Sequence, residues 1–106
     1  MAIVGLLVVR VGFLTVLVHN GGDTVLRGAI LEISERQYPL GDIHPGSTSS
    51  RVLRVQHGTG IRIRHGDRFV NARSYLAAGS VGVVEVVLHA DGSVGVDMSR
   101  VSFGPW

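Results

Sequence analysis

The chain predicts an all-β sandwich or barrel on three observations. From residue 20 onward, turn-forming clusters recur along the chain: NGGD, LGDIHPG, HGTG, HGD, AAGS and ADGS. Between them lie short runs rich in Val, Ile and Leu, the pattern of strands joined by tight connections. No convincing helical stretch interrupts the series. At 106 residues the chain is long enough for one core and too short for two.

Taken in order, the runs are Val25 to Ser34, Arg51 to His57, Ile61 to His65, Arg68 to Leu76, Val81 to Ala90 and Ser93 to Ser102. GFLTVLVH, residues 12 to 19, adds a seventh strand ahead of the Asn20-Gly21-Gly22-Asp23 turn. His44-Pro45-Gly46-Ser47 reads as a type II turn, because proline sets the first central residue and glycine accepts the positive φ of the second. Ile61 and Ile63 alternate with Arg62 and Arg64, which gives that strand one buried and one charged face. Residues 68 to 76 put Phe69 and Tyr75 on one parity and Val70, Ala72 and Leu76 on the other, and either could face inward.

The last hairpin allows a register. A two-residue Asp91-Gly92 loop would set His89 against Val94 and Glu85 against Met98, polar against apolar. A three-residue loop, Ala90-Asp91-Gly92 with Gly92 at the left-handed position, pairs Leu88 with Val94, Val86 with Val96 and Val84 with Met98. The three-residue loop is therefore expected. It sends Glu85, Val87 and His89 to the opposite face, beside Ser93, Gly95 and Asp97.

Residues 1 to 18 carry a single charge, Arg10, and approach the roughly 20 apolar residues that a membrane-crossing helix needs. Arg10 near the centre of such a helix costs about 2.5 to 3.5 kcal/mol on insertion scales, and Gly5 and Gly12 weaken it further. If residues 12 to 19 are a strand, only about 18 Å of helix precedes them, too little to span. The reading that reconciles these demands assigns Val11 to His19 to the sheet. Met1 to Val9 is then the end of an anchor or signal-like segment, or else one more buried strand of a soluble protein. The organisation is thus an apolar segment over 1–11 and a β-sandwich over 12–106.

The succession VLVHNGGDTVLRGAILEI, then YPLGDIHPGSTSS, then a short strand, resembles small immunoglobulin-like β-sandwich modules of bacterial envelope proteins. The shared features are an Asn-x-Gly turn after the first strand and a Leu-Gly-x-x-x-Pro-Gly turn after the second, over roughly residues 12 to 57. The resemblance implies a seven-stranded antiparallel immunoglobulin-like sandwich, exported or tethered by an N-terminal segment. It implies no catalytic residue. The chain departs from the pattern in having no basic stretch before its apolar segment.

Composition narrows the chemistry. Cysteine is absent, so disulfides, thiolate metal sites and cysteine nucleophiles are excluded. All ten basic residues are arginine, which suits phosphate and carboxylate recognition but also follows from a GC-rich genome. The net charge is only +2, so no large positive field accompanies them. Arg51, Arg54, Arg62, Arg64, Arg68 and Arg73 fall within 23 residues and could form a basic face for nucleic acid or anionic lipid. Only Phe69 and Tyr75 stand near them to stack on bases, and no RNP-like motif is present.

His57 and His65 flank GIRIR across an extended strand of about 27 Å, too far apart to share one metal ion. His44 precedes the proline turn, and all three histidines read as solvated loop residues. Glu85, His89 and Asp97 share a face, with Glu85 nearly opposite Asp97; like charges there require a cation or an arginine from a neighbouring strand. No Ser-His-Asp order, P-loop or dinucleotide fingerprint occurs. The expectation is a non-enzymatic structural or interaction module of the bacterial envelope, without catalytic, cofactor or metal residues, whose unknown protein partner meets an edge strand or a loop end. The alternatives are a cytoplasmic location and an anion-binding β-domain using Arg51 to Arg73.

Overall fold

The computed structural model describes residues 13–102, the side chain of Arg73 excepted. They form eight strands: β1 (Leu14–Gly21), β2 (Leu26–Ile33), β3 (Arg36–Ile43), β4 (Thr48–Leu53), β5 (Thr59–His65), β6 (Arg68–Leu76), β7 (Val81–His89) and β8 (Val94–Ser102). Two four-stranded sheets result, one ordered β4-β1-β7-β8 and the other β3-β2-β5-β6. The sandwich expected from the turn spacing is present, with eight strands among the described residues rather than seven. The apolar segment 1–11 lies outside the described residues.

Alternation builds the core. β1 turns Leu14, Val16 and Val18 inward, each fully buried, and β7 supplies Val84, Val86 and Leu88 beside them. The facing sheet contributes Leu31 and Ile33 from β2, Ile61 and Ile63 from β5, and Ala72 and Leu76 from β6. Each such aliphatic side chain contributes about 1.5–3 kcal/mol on leaving water, so the inward rows supply most of the driving force. The open parity of β6 is settled by this packing: Val70 and Ala72 pair with Ile63 and Ile61, whereas Phe69 and Tyr75 are exposed.

β1 pairs antiparallel with β4 over Leu14–His19 and parallel with β7 over Leu14–Gly21, so the first sheet is mixed rather than purely antiparallel. β1 also runs on through Asn20 and Gly21, residues that read as a turn in the sequence. β4 starts at Thr48 and stops at Leu53, upstream of the run Arg51 to His57, because the Ser-rich stretch pairs with β1 while residues 54–58 leave the sheet. Val55 nonetheless plugs the core at 2% exposure, and its carbonyl accepts the Gly79 N–H.

β3 is the strand that the sequence pattern conceals. It contains Pro39 and Gly41, which read as loop, but it forms the edge of its sheet, where a residue without an N–H breaks no ladder. Its hairpin with β2 closes through Ser34-Glu35, both at positive φ (53° and 63°), the conformation usually signalled by Asn-Gly. Ser34 is held there by its hydroxyl donating to the His57 carbonyl and its N–H donating to Thr59 Oγ1.

The β7–β8 hairpin follows the three-residue loop. Leu88 pairs with Val94 and Val86 with Val96, His89 N–H donates to Ser93 O, and Gly92 sits at φ 88°. The Val84–Met98 pair does not form as a single pairing: Glu85 opposes Asp97 and Val83 opposes Arg100, so Val84 faces both Met98 and Ser99 in a bulge. Gly82 makes this bulge possible. It adopts φ 108°, and a Cβ there would run into the Arg100 carbonyl oxygen.

Among the described residues, three of the four edge strands carry an interruption. β3 has Pro39 and an extra residue, Leu40, between the Ala29–Gly41 and Ile30–Pro39 pairs, while β4 is a regular strand of six residues. β6 accommodates residues 73 and 74 as an insertion between the Gly60–Tyr75 and Ile61–Ala72 pairs. β8 carries the bulge at 98–99, where Asp97 Oδ1 accepts the Ser99 N–H. Such devices block the addition of a foreign strand.

Two substitutions test this backbone account by urea unfolding. Gly82→Ala is expected to destabilise by about 3 kcal/mol, through the steric clash and the positive φ. Glu35→Gly is expected to stabilise by about 0.5–1 kcal/mol, because glycine removes the left-handed penalty at an exposed position.

Candidate functional site

Strand directions divide the loops between two ends. The proximal pole, where β1 begins at Leu14, holds the 34–35, 54–58 and 77–80 connections. The distal pole holds the β1–β2 loop, the β3–β4 turn, the β5–β6 turn and the β7–β8 hairpin.

The distal loops are organised around Asn20. Its side chain, 1% exposed, donates to the carbonyls of Thr24 and Ile43 at 2.8 and 2.9 Å and accepts the Gly22 N–H at 3.0 Å. Its backbone donates to Ser47 O and accepts from Gly46. One residue thus ties the β1–β2 loop to the β3–β4 turn, in which Gly46 at φ 78° and a Ser47-to-His44 bond agree with the expected type II geometry. Gly21 and Gly22 then let the first loop approach β7: a Cβ on Gly21 would lie 3.2 Å from Leu88 O, and one on Gly22 would lie 3.5 Å from Ala90 Cα.

Between these loops opens a cleft of about 440 Å³. Leu26, Val70 and Leu88 form an apolar floor, and Asp23, His65, Arg68, His89 and Asp91 line it with ionisable groups. The cleft continues into a groove of about 720 Å³ between β6 and β8, sharing Phe69, Val70, Gly92 and Ser93 and lined by the half-buried Val94 and Val96. A few polar groups converging over an apolar floor are the usual makings of a binding site. Hydrogen bonds from the side chain and backbone of Ser93 hold the Asp91 carboxyl below its ordinary range. The gathering of His65, Arg68, His89 and Asp91 had no local signal, since the residues come from separate hairpins that only packing brings together.

The six clustered arginines do not form one face. Arg51 and Arg54 lie on or just after β4 in the first sheet, with guanidinium groups over the rings of Tyr38 (5.5 Å) and Phe13 (4.9 Å). Arg62 and Arg64 project from the outer face of β5, and Arg68 reaches the distal cleft. Arg73 lies in the β6 insertion.

On that outer face a ladder crosses all four strands. Gln37 donates to Glu32 Oε2, Glu32 Oε1 lies 3.8 Å from Arg62 Nε, and Arg62 covers the Phe69 ring at 3.8 Å. The arginine is thereby engaged on one side by a carboxylate and on the other by an aromatic face.

Glu85 does oppose Asp97, but the neighbouring β1 places Leu17 beside Glu85, not an arginine. Relief comes from within β8, where Ser99 hydrogen bonds and, to a lesser degree, Arg100 lower the Asp97 pKa. His57 lies at the proximal pole, 3.6 Å from Glu35, and His65 at the distal pole, as the strand length required. His44 is exposed in the distal turn. Among the described residues no three His, Asp or Glu side chains gather to hold a metal ion. His19 Nδ1 meets Thr48 Oγ1 at 2.8 Å, but this pair stands on an open sheet face outside the clefts described. A hydroxyl and a base alone, without a hollow to hold substrate, do not make a catalytic site.

No protein-family model matches the chain, and no curated protein matches it.

Asn20→Ala leaves the Ile43 carbonyl and the Gly22 N–H without their side-chain partner and is expected to cost about 2–4 kcal/mol, measured by urea unfolding. Ser93→Ala is expected to raise the Asp91 pKa toward 3.8 in a carboxyl NMR titration. Because the folded pKa is depressed, Asp91 contributes stability above its ordinary pKa. That contribution disappears as pH falls through the folded value, and the variant shows less of this acid-dependent loss.

Proposed function

We propose that this chain is a non-enzymatic interaction module of the bacterial envelope, exported or held there by residues 1–11, whose distal loops receive a protein partner. The interrupted edges carry the choice of surface. With β3, β6 and β8 bulged or broken by proline, strand addition there is disfavoured, and the concave surface is the loop-end cleft with the β6–β8 groove that continues from it. No helix among the described residues is long and apolar enough to cross a membrane, so the tether rests on the composition of residues 1–11.

An immunoglobulin-like relationship finds support in how β2 to β8 use the two sheets: two strands in one, one in the other, two back, then two across. Seven-stranded immunoglobulin domains alternate in the same way. β1 is then an additional strand slotted between β4 and β7. The pairing differs within the second sheet, where β2 joins β5 rather than β3 joining β6.

The second reading is anion or nucleic-acid binding, favoured by Arg62 and Arg64 flanking the exposed Phe69. Against it, Glu32 neutralises Arg62, Arg62 occupies the ring on which a base would stack, and Arg51 and Arg54 belong to the other sheet.

Fractionation of cells expressing the native gene tests the first reading. Recovery with membranes or periplasm is expected, and recovery solely in the soluble cytosol rejects it. A salt titration with single-stranded nucleic acid tests the second: binding that weakens as salt rises would support it, and no binding at low salt removes it.

A further inference from the structure

The two poles differ in charge. Asp23, Asp67 and Asp91 occupy distal turns and Asp42 the distal end of β3, four acids against two arginines there, Arg27 paired to Asp42 at 3.8 Å and Arg68 in the cleft. At the proximal pole Arg36 opens β3, Arg54 follows β4 and Arg100 lies two residues before the end of β8. Of the acids nearby, Glu32 is held by Arg62 and Gln37, Glu35 lies 3.6 Å from His57, and Asp97 shares the outer face of β8 with Arg100. The sandwich thus presents a basic end and an acidic end.

The basic end also carries apolar surface. The Phe13 ring lies under the Arg54 guanidinium, and Val52, 56% exposed, stands in an outer row with Thr15 and Val83 one residue from the end of β4. An aromatic ring, arginines and an exposed aliphatic around the point where the chain arrives from an apolar stretch make an interfacial rim: apolar groups reach inward while guanidinium groups stay among headgroups. We propose that the proximal pole rests on an anionic bilayer surface, with Arg36, Arg54 and Arg100 meeting lipid phosphates and the aspartate-bearing distal turns facing away from the membrane. This deepens the tethered reading. The residue types supply the contact and the pole-to-pole asymmetry supplies the orientation, since an anionic surface attracts one end and repels the other.

The absence of cysteine makes the test direct, because V52C and A90C each place a single fluorophore, one at each pole. The full chain is mixed with vesicles of phosphatidylcholine alone or with phosphatidylglycerol added, and quenching by a headgroup-labelled lipid is read. On mixed vesicles the V52C probe is expected to be quenched and the A90C probe spared. R36E/R54E should remove that difference and lower the ratio of mixed to neutral partition by at least about tenfold, each lost attraction being worth about fivefold. R64E/R68E should leave both readings unchanged, and added salt should weaken the preference. Equal quenching of the two probes, or native partition by R36E/R54E, overturns the proposal. Should that variant fail to unfold at the native urea midpoint, R36E/R100E takes its place. Retention on neutral vesicles reports residues 1–11 instead, so the tether can fail while the pole holds, and the reverse.

Discussion

The fold depends on β1 lying in the middle of its sheet with a strict inward alternation. Leu14, Val16 and Val18 are fully buried, and the same inward parity ends in Asn20, a polar residue with 1% exposure. An amide so buried must find partners for its donors and acceptor or cost several kcal/mol. It finds them in the loops, so the row that builds the core also dictates how the distal pole is shaped. The other two distal connections pack against that fixed pair, and the cleft is the space they leave.

The edges show a second constraint. Among the described residues the two-layer sandwich has four edge strands, and three are spoiled for further pairing, by Pro39 in β3 and by bulges in β6 and β8. The bulge in β8 has a further effect: it places Asp97 and Arg100 on one face although they are three residues apart, which eases the Glu85–Asp97 opposition. The unlike charge of the two poles gives the domain a direction, with the histidine-bearing cleft at one end and the arginine-aromatic rim at the other.

Period-two alternation and turn chemistry act locally, and what depended on them was legible. Gly92, Pro45-Gly46 and the Ile61–Ile63 row told of the three-residue hairpin, the type II turn and the charged face of β5, because each conformation is dictated within a few residues. β3 was hidden for the same reason: Pro39, Gly41 and a Ser-Glu turn carry loop chemistry, and only an edge position and the hydrogen bonds of Ser34 to His57 and Thr59 make them a strand and hairpin.

By itself the sequence determined an all-β chain, the approximate place of most strands, which parity of β5 is buried, and that no thiol chemistry is available. Tertiary structure alone decided that β1 inserts between β4 and β7, that the arginines between 51 and 73 scatter over two sheets, and that His65, Arg68, His89 and Asp91 share a cleft. Pairing between distant strands is selected by how whole inward rows pack against one another, a non-local energy that leaves no mark on any one short segment.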